Sequence, residues 1–121
     1  MSEAVVSLIL VEDDHHVGIV IRRLLERRNI RVVLVRTAMA ALAVLSKRDF
    51  NVLLSDVHMP GMTGLELCER ISPAMRSRTV LYTGAPEGIV PPPGVPLLEK
   101  PMDFALLRET VLRAARSQPT C

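Results

Sequence analysis

The 121-residue chain has no tryptophan, one tyrosine and two phenylalanines, so aromatics make up 2% of it. Its core must be aliphatic, and it offers no set of platforms on which nucleic-acid bases would stack. It also lacks an excess of either charge. Fifteen Lys and Arg against thirteen Asp and Glu leave +2, without the basic field that a phosphate backbone demands, so no direct nucleic-acid binding is expected. Two cysteines are too few for a disulfide framework: Cys68 lies in an apolar helical pattern and Cys121 is the last residue, which fits a reducing cytoplasm. No long apolar run occurs. The run Val5 to Val11 ends in three acids and is too short for a membrane span, and Met1-Ser2-Glu3-Ala4 carries no basic leader region. These absences point to a cytoplasmic protein without membrane insertion, of a length that makes one domain, residues 1–121, with a single core.

What is present alternates. Val5 to Val11, Ile30 to Val35, Val52 to Leu54, Thr79 to Tyr82 and Val95 to Leu98 are short apolar runs rich in strand-favouring residues. Between them, Val17, Ile21, Leu24 and Leu25 repeat at helical spacing, giving a helix from about Asp14 to Arg28 despite Gly18, which costs about 1 kcal/mol relative to Ala. Thr37 is an N-cap for Ala38 to Lys47. Leu65, Cys68 and Ile71 line one face of a third helix, and Phe104, Leu107, Val111 and Ala114 one face of the last. Strand and helix in turn predict an α/β fold with a parallel sheet. One connection breaks the pattern: Gly84 to Pro96 holds five prolines and three glycines in thirteen residues, which predicts a long loop where a fourth crossover helix would run.

In an open α/β sheet, ligands sit beyond the carboxyl ends of the strands. This chain puts Glu12-Asp13-Asp14 after its first strand, Asp56 after its third, Thr83 and Gly84 after its fourth and Glu99-Lys100-Pro101 after its fifth. Carboxylates brought together from different strands repel unless a cation sits among them, and an oxygen-only ligand set favours a hard ion such as Mg²⁺. Carboxylate-held metal beside an ammonium and a hydroxyl is an arrangement for a phosphoryl group, with Asp56 as nucleophile.

The stretches "ILVEDD", "LLSDVHMPGMTGLEL", "LYTG" and "LLEKP" together resemble the successive signatures of bacterial two-component response-regulator receiver domains, over nearly the whole chain. The resemblance implies a flavodoxin-like, doubly wound, five-stranded parallel sheet of order 2-1-3-4-5. It implies that Asp56 accepts a phosphoryl group from a sensor histidine kinase or phosphotransfer protein. Glu12 and Asp13 would hold Mg²⁺, Asp13 directly and Glu12 through water, with the Val57 carbonyl completing the protein ligands. Lys100 would pair with the phosphoryl oxygens and Thr83 would turn inward to bond one of them. The module would then act on a downstream protein target, and would be no enzyme beyond its own phosphorylation and dephosphorylation. Two rivals stand beside it: a docking module independent of phosphorylation, and an aspartyl-phosphate hydrolase. The hydrolase typically wants an acid two residues after the nucleophile, where this chain has His58.

The remaining polar residues read more plainly. Asp14 caps the first helix, His15 and His16 point in different directions from a solvated turn, His58 lies at the rim of the site, Cys68 belongs to the core, and Met59 and Met62 pack the loop after Asp56. Two departures from the family pattern concern output. Leu97 stands where the family usually has an aromatic ring, and the helix before it is missing. The loop 84–96 is therefore expected to carry the conformational response, by a change in its order. The chain ends shortly after the last helix, as a stand-alone or an excised receiver.

Overall fold

A computed structural model describes residues 5–27 and 29–117. Five parallel strands, β1 (Val6–Val11), β2 (Ile30–Val35), β3 (Val52–Asp56), β4 (Thr79–Thr83) and β5 (Leu97–Glu99), form one sheet of order β2-β1-β3-β4-β5. This is the doubly wound arrangement and strand order expected. The helices are α1 (His15–Leu25), α2 (Ala38–Leu45), α3 (Gly64–Arg70), α4 (Pro73–Arg76) and α5 (Phe104–Ala115).

The central strands are apolar on both faces because both are covered. Leu8 and Leu10 of β1 join Ile21 and Leu25 of α1 and Leu107 and Val111 of α5 in one core cluster. Ile9 and Val11 face the other way, against Ala38, Ala41, Leu67 and Met75 of α2, α3 and α4. Each fully buried Leu or Ile contributes about 1.5–3 kcal/mol. Gly18, unfavourable by propensity alone, is explained by packing: a Cβ there would lie 2.9 Å from the Leu34 side chain, so the residue lets α1 settle close on β2.

Several boundaries differ from the sequence expectation. α1 ends at Leu25, with Glu26 as its C-cap; the predicted end at Arg28 lies outside the described residues, as do Met1 to Ala4 and Cys121. α2 stops at Leu45, two residues early. α3 stops at Arg70, since Ile71 is already extended at φ −98° and ψ 165°. There the Arg76 side chain donates to the carbonyls of Cys68 (2.8 Å) and Ile71 (3.2 Å), taking over acceptors the helix leaves open. The short α4 was not anticipated. Its signal was local: Ser72 caps it by accepting from the Met75 amide at 3.1 Å, and Pro73 opens it. β5 covers 97–99 and not 95–98, because Pro96 offers only its carbonyl, which accepts from the Leu81 amide at 2.9 Å.

Residues 84–96 contain neither helix nor strand, as their prolines predicted. Two turns fold the segment, with Ile89 N–H donating to Pro86 O and Val95 N–H to Pro92 O, both at 3.1 Å. They return Val95 to a buried position beside Val57, Cys68 and Leu81, with Ile89 packed against the same cluster. Among the described residues no helix is long and apolar enough to cross a membrane.

Candidate functional site

The parallel register brings the strand ends to one edge. Val11 pairs with Ser55, Asp56 with Tyr82 and Thr83 with Glu99. Backbone bonds continue one residue further: Glu12 N–H donates to Val35 O at 3.0 Å, Val57 N–H to Tyr82 O at 2.9 Å and Lys100 N–H to Thr83 O at 2.8 Å. Glu12, Val57 and Lys100 are therefore fixed by the sheet and not left on free loops. Carboxylate oxygens of Glu12, Asp13 and Asp56 all lie within 4.8 Å of one another.

Lys100 is the counter-charge. Its Nζ donates to Asp56 Oδ2 at 3.1 Å and lies 3.5 Å from Glu12 Oε1. Burial by itself would lower the Lys100 pKa, but the hydrogen bond and charge of Asp56, with the charge of Glu12, outweigh it and hold the ammonium above its ordinary value. The other Asp56 oxygen, Oδ1, accepts from the His58 amide at 3.1 Å. Asp56 is thus aimed from both sides while only 5% exposed.

Glu12 is almost fully buried, and burial first, with the Asp56 charge adding to it, raises its pKa against the opposing pull of its hydrogen bonds and of Lys100. Its two oxygens are committed: Oε1 accepts from Tyr82 Oη–H at 2.8 Å and Oε2 from the Asp14 amide at 3.1 Å. Tyr82 is the functional residue the sequence reading missed. The signal was available, since a tyrosine following Val80-Leu81 inside a short central strand is set to be buried and then needs a partner for its hydroxyl. Burial and the neighbouring Glu12 carboxylate drive the phenol far above its ordinary pKa, so it stays a donor. Lys100 Nζ lies 5.1 Å from the centroid of the same ring.

Asp13, half-buried, has no bonded donor among the described residues. Asp14 caps α1, with Oδ1 accepting from His16 and Val17 amides at 3.0 and 3.2 Å. The Val57 carbonyl accepts the Gly64 amide at 2.9 Å, which leaves its second lone pair open. That contact requires glycine: a Cβ on Gly64 would lie 2.5 Å from the Asp56 carbonyl oxygen. Thr83 is fully buried, its Oγ1 accepting from the Ala85 amide at 3.0 Å, and His58 Nε2 lies 3.1 Å from the Ala85 carbonyl. The Ala85 residue is therefore gripped by Thr83 on one side and His58 on the other. His15 and His16 stand outside the cluster on the exposed first turn of α1, and Cys68 is buried in the core.

A doubly wound sheet with carboxylates from two strand ends, an ammonium from a third and a hydroxyl from a fourth defines a class of site built for a phosphoryl group and its counter-ion. Residues 8–88 match the sequence model of the response regulator receiver domain, and the chain belongs to that family, the phosphoacceptor signalling modules of two-component systems. It is similar to the sensor histidine kinase AruS of Pseudomonas aeruginosa, at 44% identity over 70 residues, 58% of this chain and 7% of AruS. Among solved structures it resembles the receiver domain of the hybrid histidine kinase CckA, at 27% identity and a TM-score of 0.74 over 91% of this chain and 99% of that one. It also resembles the signal receiver domain of an HD domain-containing protein from Pseudomonas fluorescens Pf-5, at 26% identity and a TM-score of 0.81 over 91% and 94%. The chain spans only 7–10% of the length of curated relatives such as AruS and the sensory/regulatory protein RpfC of Xanthomonas campestris.

Proposed function

We propose that Asp56 is the phosphoacceptor, and that the phosphoryl group comes from a phosphohistidine on a sensor kinase or phosphotransfer protein in the cytoplasm. A carboxylate oxygen of Asp56 forms a bond to phosphorus as the P–N bond breaks, and the imidazole nitrogen leaves with the bonding pair. The observation that carries this reading is the Lys100 ammonium 3.1 Å from Asp56: it neutralises charge where an attacking carboxylate and a phosphoryl group would otherwise repel. The chain acts as a substrate of its own phosphorylation and has no separate substrate to turn over.

The donor set fits Mg²⁺. Carboxylate oxygens of Glu12, Asp13 and Asp56 lie within 4.8 Å of one another with the single ammonium of Lys100 among them, an oxygen-only cluster short of positive charge. Asp13, with no protein donor, Asp56 and the open lone pair of the Val57 carbonyl would hold the ion, while Glu12, doubly committed, would reach it through water. When bound, Mg²⁺ supplies neutralisation of the phosphoryl oxygens. Thr83 gives up its bond to Ala85 to donate to a phosphoryl oxygen, and that exchange loosens the base of the loop 84–96, which is read by a downstream protein.

Intact mass after incubation with a small-molecule phosphodonor and Mg²⁺ tests the reading. We expect one phosphoryl adduct, slowly lost, in the wild type and none in Asp56→Asn, which is nearly isosteric but a poor nucleophile. Rapid turnover of the donor would favour a hydrolase, and no adduct in the wild type a docking module.

A further inference from the structure

At the pole of the sheet opposite Asp56, a depression of about 300 Å³ lies between the end of α2, the start of β3 and the α3–α4 corner. Its floor is apolar, formed by Leu45, Phe50, Ile71 and Met75, and its rim carries Arg48, Arg70 and Arg78 with a single acid, Asp49. Two of these guanidiniums are held in place without using a carboxylate. Arg48 stacks 4.6 Å from the Phe50 ring centroid, and Arg78 Nη2 donates to the Phe50 carbonyl at 3.4 Å and lies 3.9 Å from Met75 Sδ. None of the three arginines forms an ion pair among the described residues, whose ion pairs involve Arg22, Lys100 and Arg113. The rim thus carries a net charge equal to the +2 of the entire chain.

We propose that this pocket binds a small amphipathic anion, a phosphate monoester or carboxylate whose head sits among Arg48, Arg70 and Arg78 and whose apolar body lies on Phe50, Ile71 and Met75. Guanidiniums without carboxylate partners are the groups that recognise such heads through paired N–H donors. Phe50, Ile71 and Met75 show only their edges to the depression, at 2, 8 and 6% exposed, beside the half-buried Leu45. A bare inorganic anion would not touch this narrow apolar floor, and a neutral apolar molecule would leave the guanidiniums unused. The volume is at the small end of the range for ligand sites, which limits the ligand to one ring or a short chain. The site shares no residue with the acidic cluster and lies one strand length away, about 13 Å along β3, so it stands whether or not Asp56 is the phosphoacceptor.

The test uses the Asp56→Asn chain without Mg²⁺, which silences the acidic end. Phenyl phosphate is titrated against ¹⁵N-labelled protein, following the arginine Nε–H signals and the amides of residues 42–50 and 70–78. We expect saturable shifts confined to those residues with a Kd below about 1 mM, and at least about tenfold weaker binding in Arg48→Gln/Arg70→Gln, whose two positions are exposed. Benzoate in place of phenyl phosphate tells which head is preferred, and saturable binding of either supports the site. Absence of shifts with both overturns it. So does equal affinity in the double variant, which would mean an adventitious ion only. Inorganic phosphate or phenol binding as tightly as phenyl phosphate overturns it as well, because then head and body are not recognised together.

Discussion

The sheet has two neighbouring crossovers built in different ways. Between β3 and β4 the chain forms α3 and α4, whose Leu67 and Met75 are buried against the sheet. Between β4 and β5 there is no helix, yet Ile89 and Val95 reach the cluster around Leu81 all the same. What a parallel crossover needs is therefore apolar side chains delivered to the sheet face, and two turns can deliver them as well as a helix. The two differ in backbone support. α3 has its own ladder, a capping box between Thr63 and Glu66 and two bonds from Arg76; the loop has two turn bonds and is tied at its ends, by Thr83 and His58 at Ala85 and by the Leu81 amide at the Pro96 carbonyl. Few backbone bonds make for local opening at low free energy, and this is the crossover that begins at the site. The match to the family sequence model also ends inside it, at residue 88.

The comparison can be tested at four points. Leu67→Ala, on the helical side, should lower unfolding stability by about 2–5 kcal/mol in urea denaturation, the usual cost of a fully buried Leu; a cost below about 1 kcal/mol would mean that α3 is not the closely packed partner described. On the same helix, burial pushes the Cys68 thiol up to about 11 from an ordinary 9.0. The folded state then keeps a proton that the unfolded state releases, so stability falls as pH rises from 9 towards 11, by up to about 2.7 kcal/mol. Comparing the alkaline slope of wild type with that of Cys68→Ala isolates this share from Tyr82, and parallel slopes would refute it. Val95→Ala, on the loop side, should cost about 1.5–2 kcal/mol if the loop covers the sheet as a helix does; a cost under about 0.5 kcal/mol would reduce the loop to a drape. Thr83→Ala removes the acceptor of the Ala85 amide and should speed its hydrogen exchange about 2- to 10-fold while β4 amides keep their protection. Beryllofluoride with Mg²⁺ should do the same in the wild type. Unchanged exchange across 84–96 in both experiments would remove the loop from the signalling response.

How much of this was legible beforehand depended on whether local chemistry or tertiary contact decided the outcome. Strands and helix faces followed from apolar periodicity, the sheet order from the resemblance to receiver domains, and the gathering of Asp56, Glu12, Asp13, Thr83 and Lys100 from their positions at strand ends. The loop 84–96 was legible because proline acts through its own ring and missing N–H, whatever surrounds it. The shift of β5 to residues 97–99 was not, since it depends on the Leu81 amide choosing the Pro96 carbonyl across the sheet. Nor was the early end of α3, which rests on Arg76 reaching back to Cys68 and Ile71. Tyr82 was visible as a strand residue, but its bond to Glu12, seventy positions away, is a property of the register.

That bond makes the protein its own optical probe. With no tryptophan in the chain, Tyr82 is the sole tyrosine and dominates ultraviolet emission. Its hydroxyl rests on the Glu12 carboxylate and its ring lies beneath the Lys100 ammonium, two neighbours whose charge environment changes when a cation or a phosphoryl group arrives. Emission intensity and lifetime, read on the unlabelled chain in ordinary buffer, therefore report occupancy of the acidic end directly, while an anion bound among the arginines at the far pole leaves them unaltered.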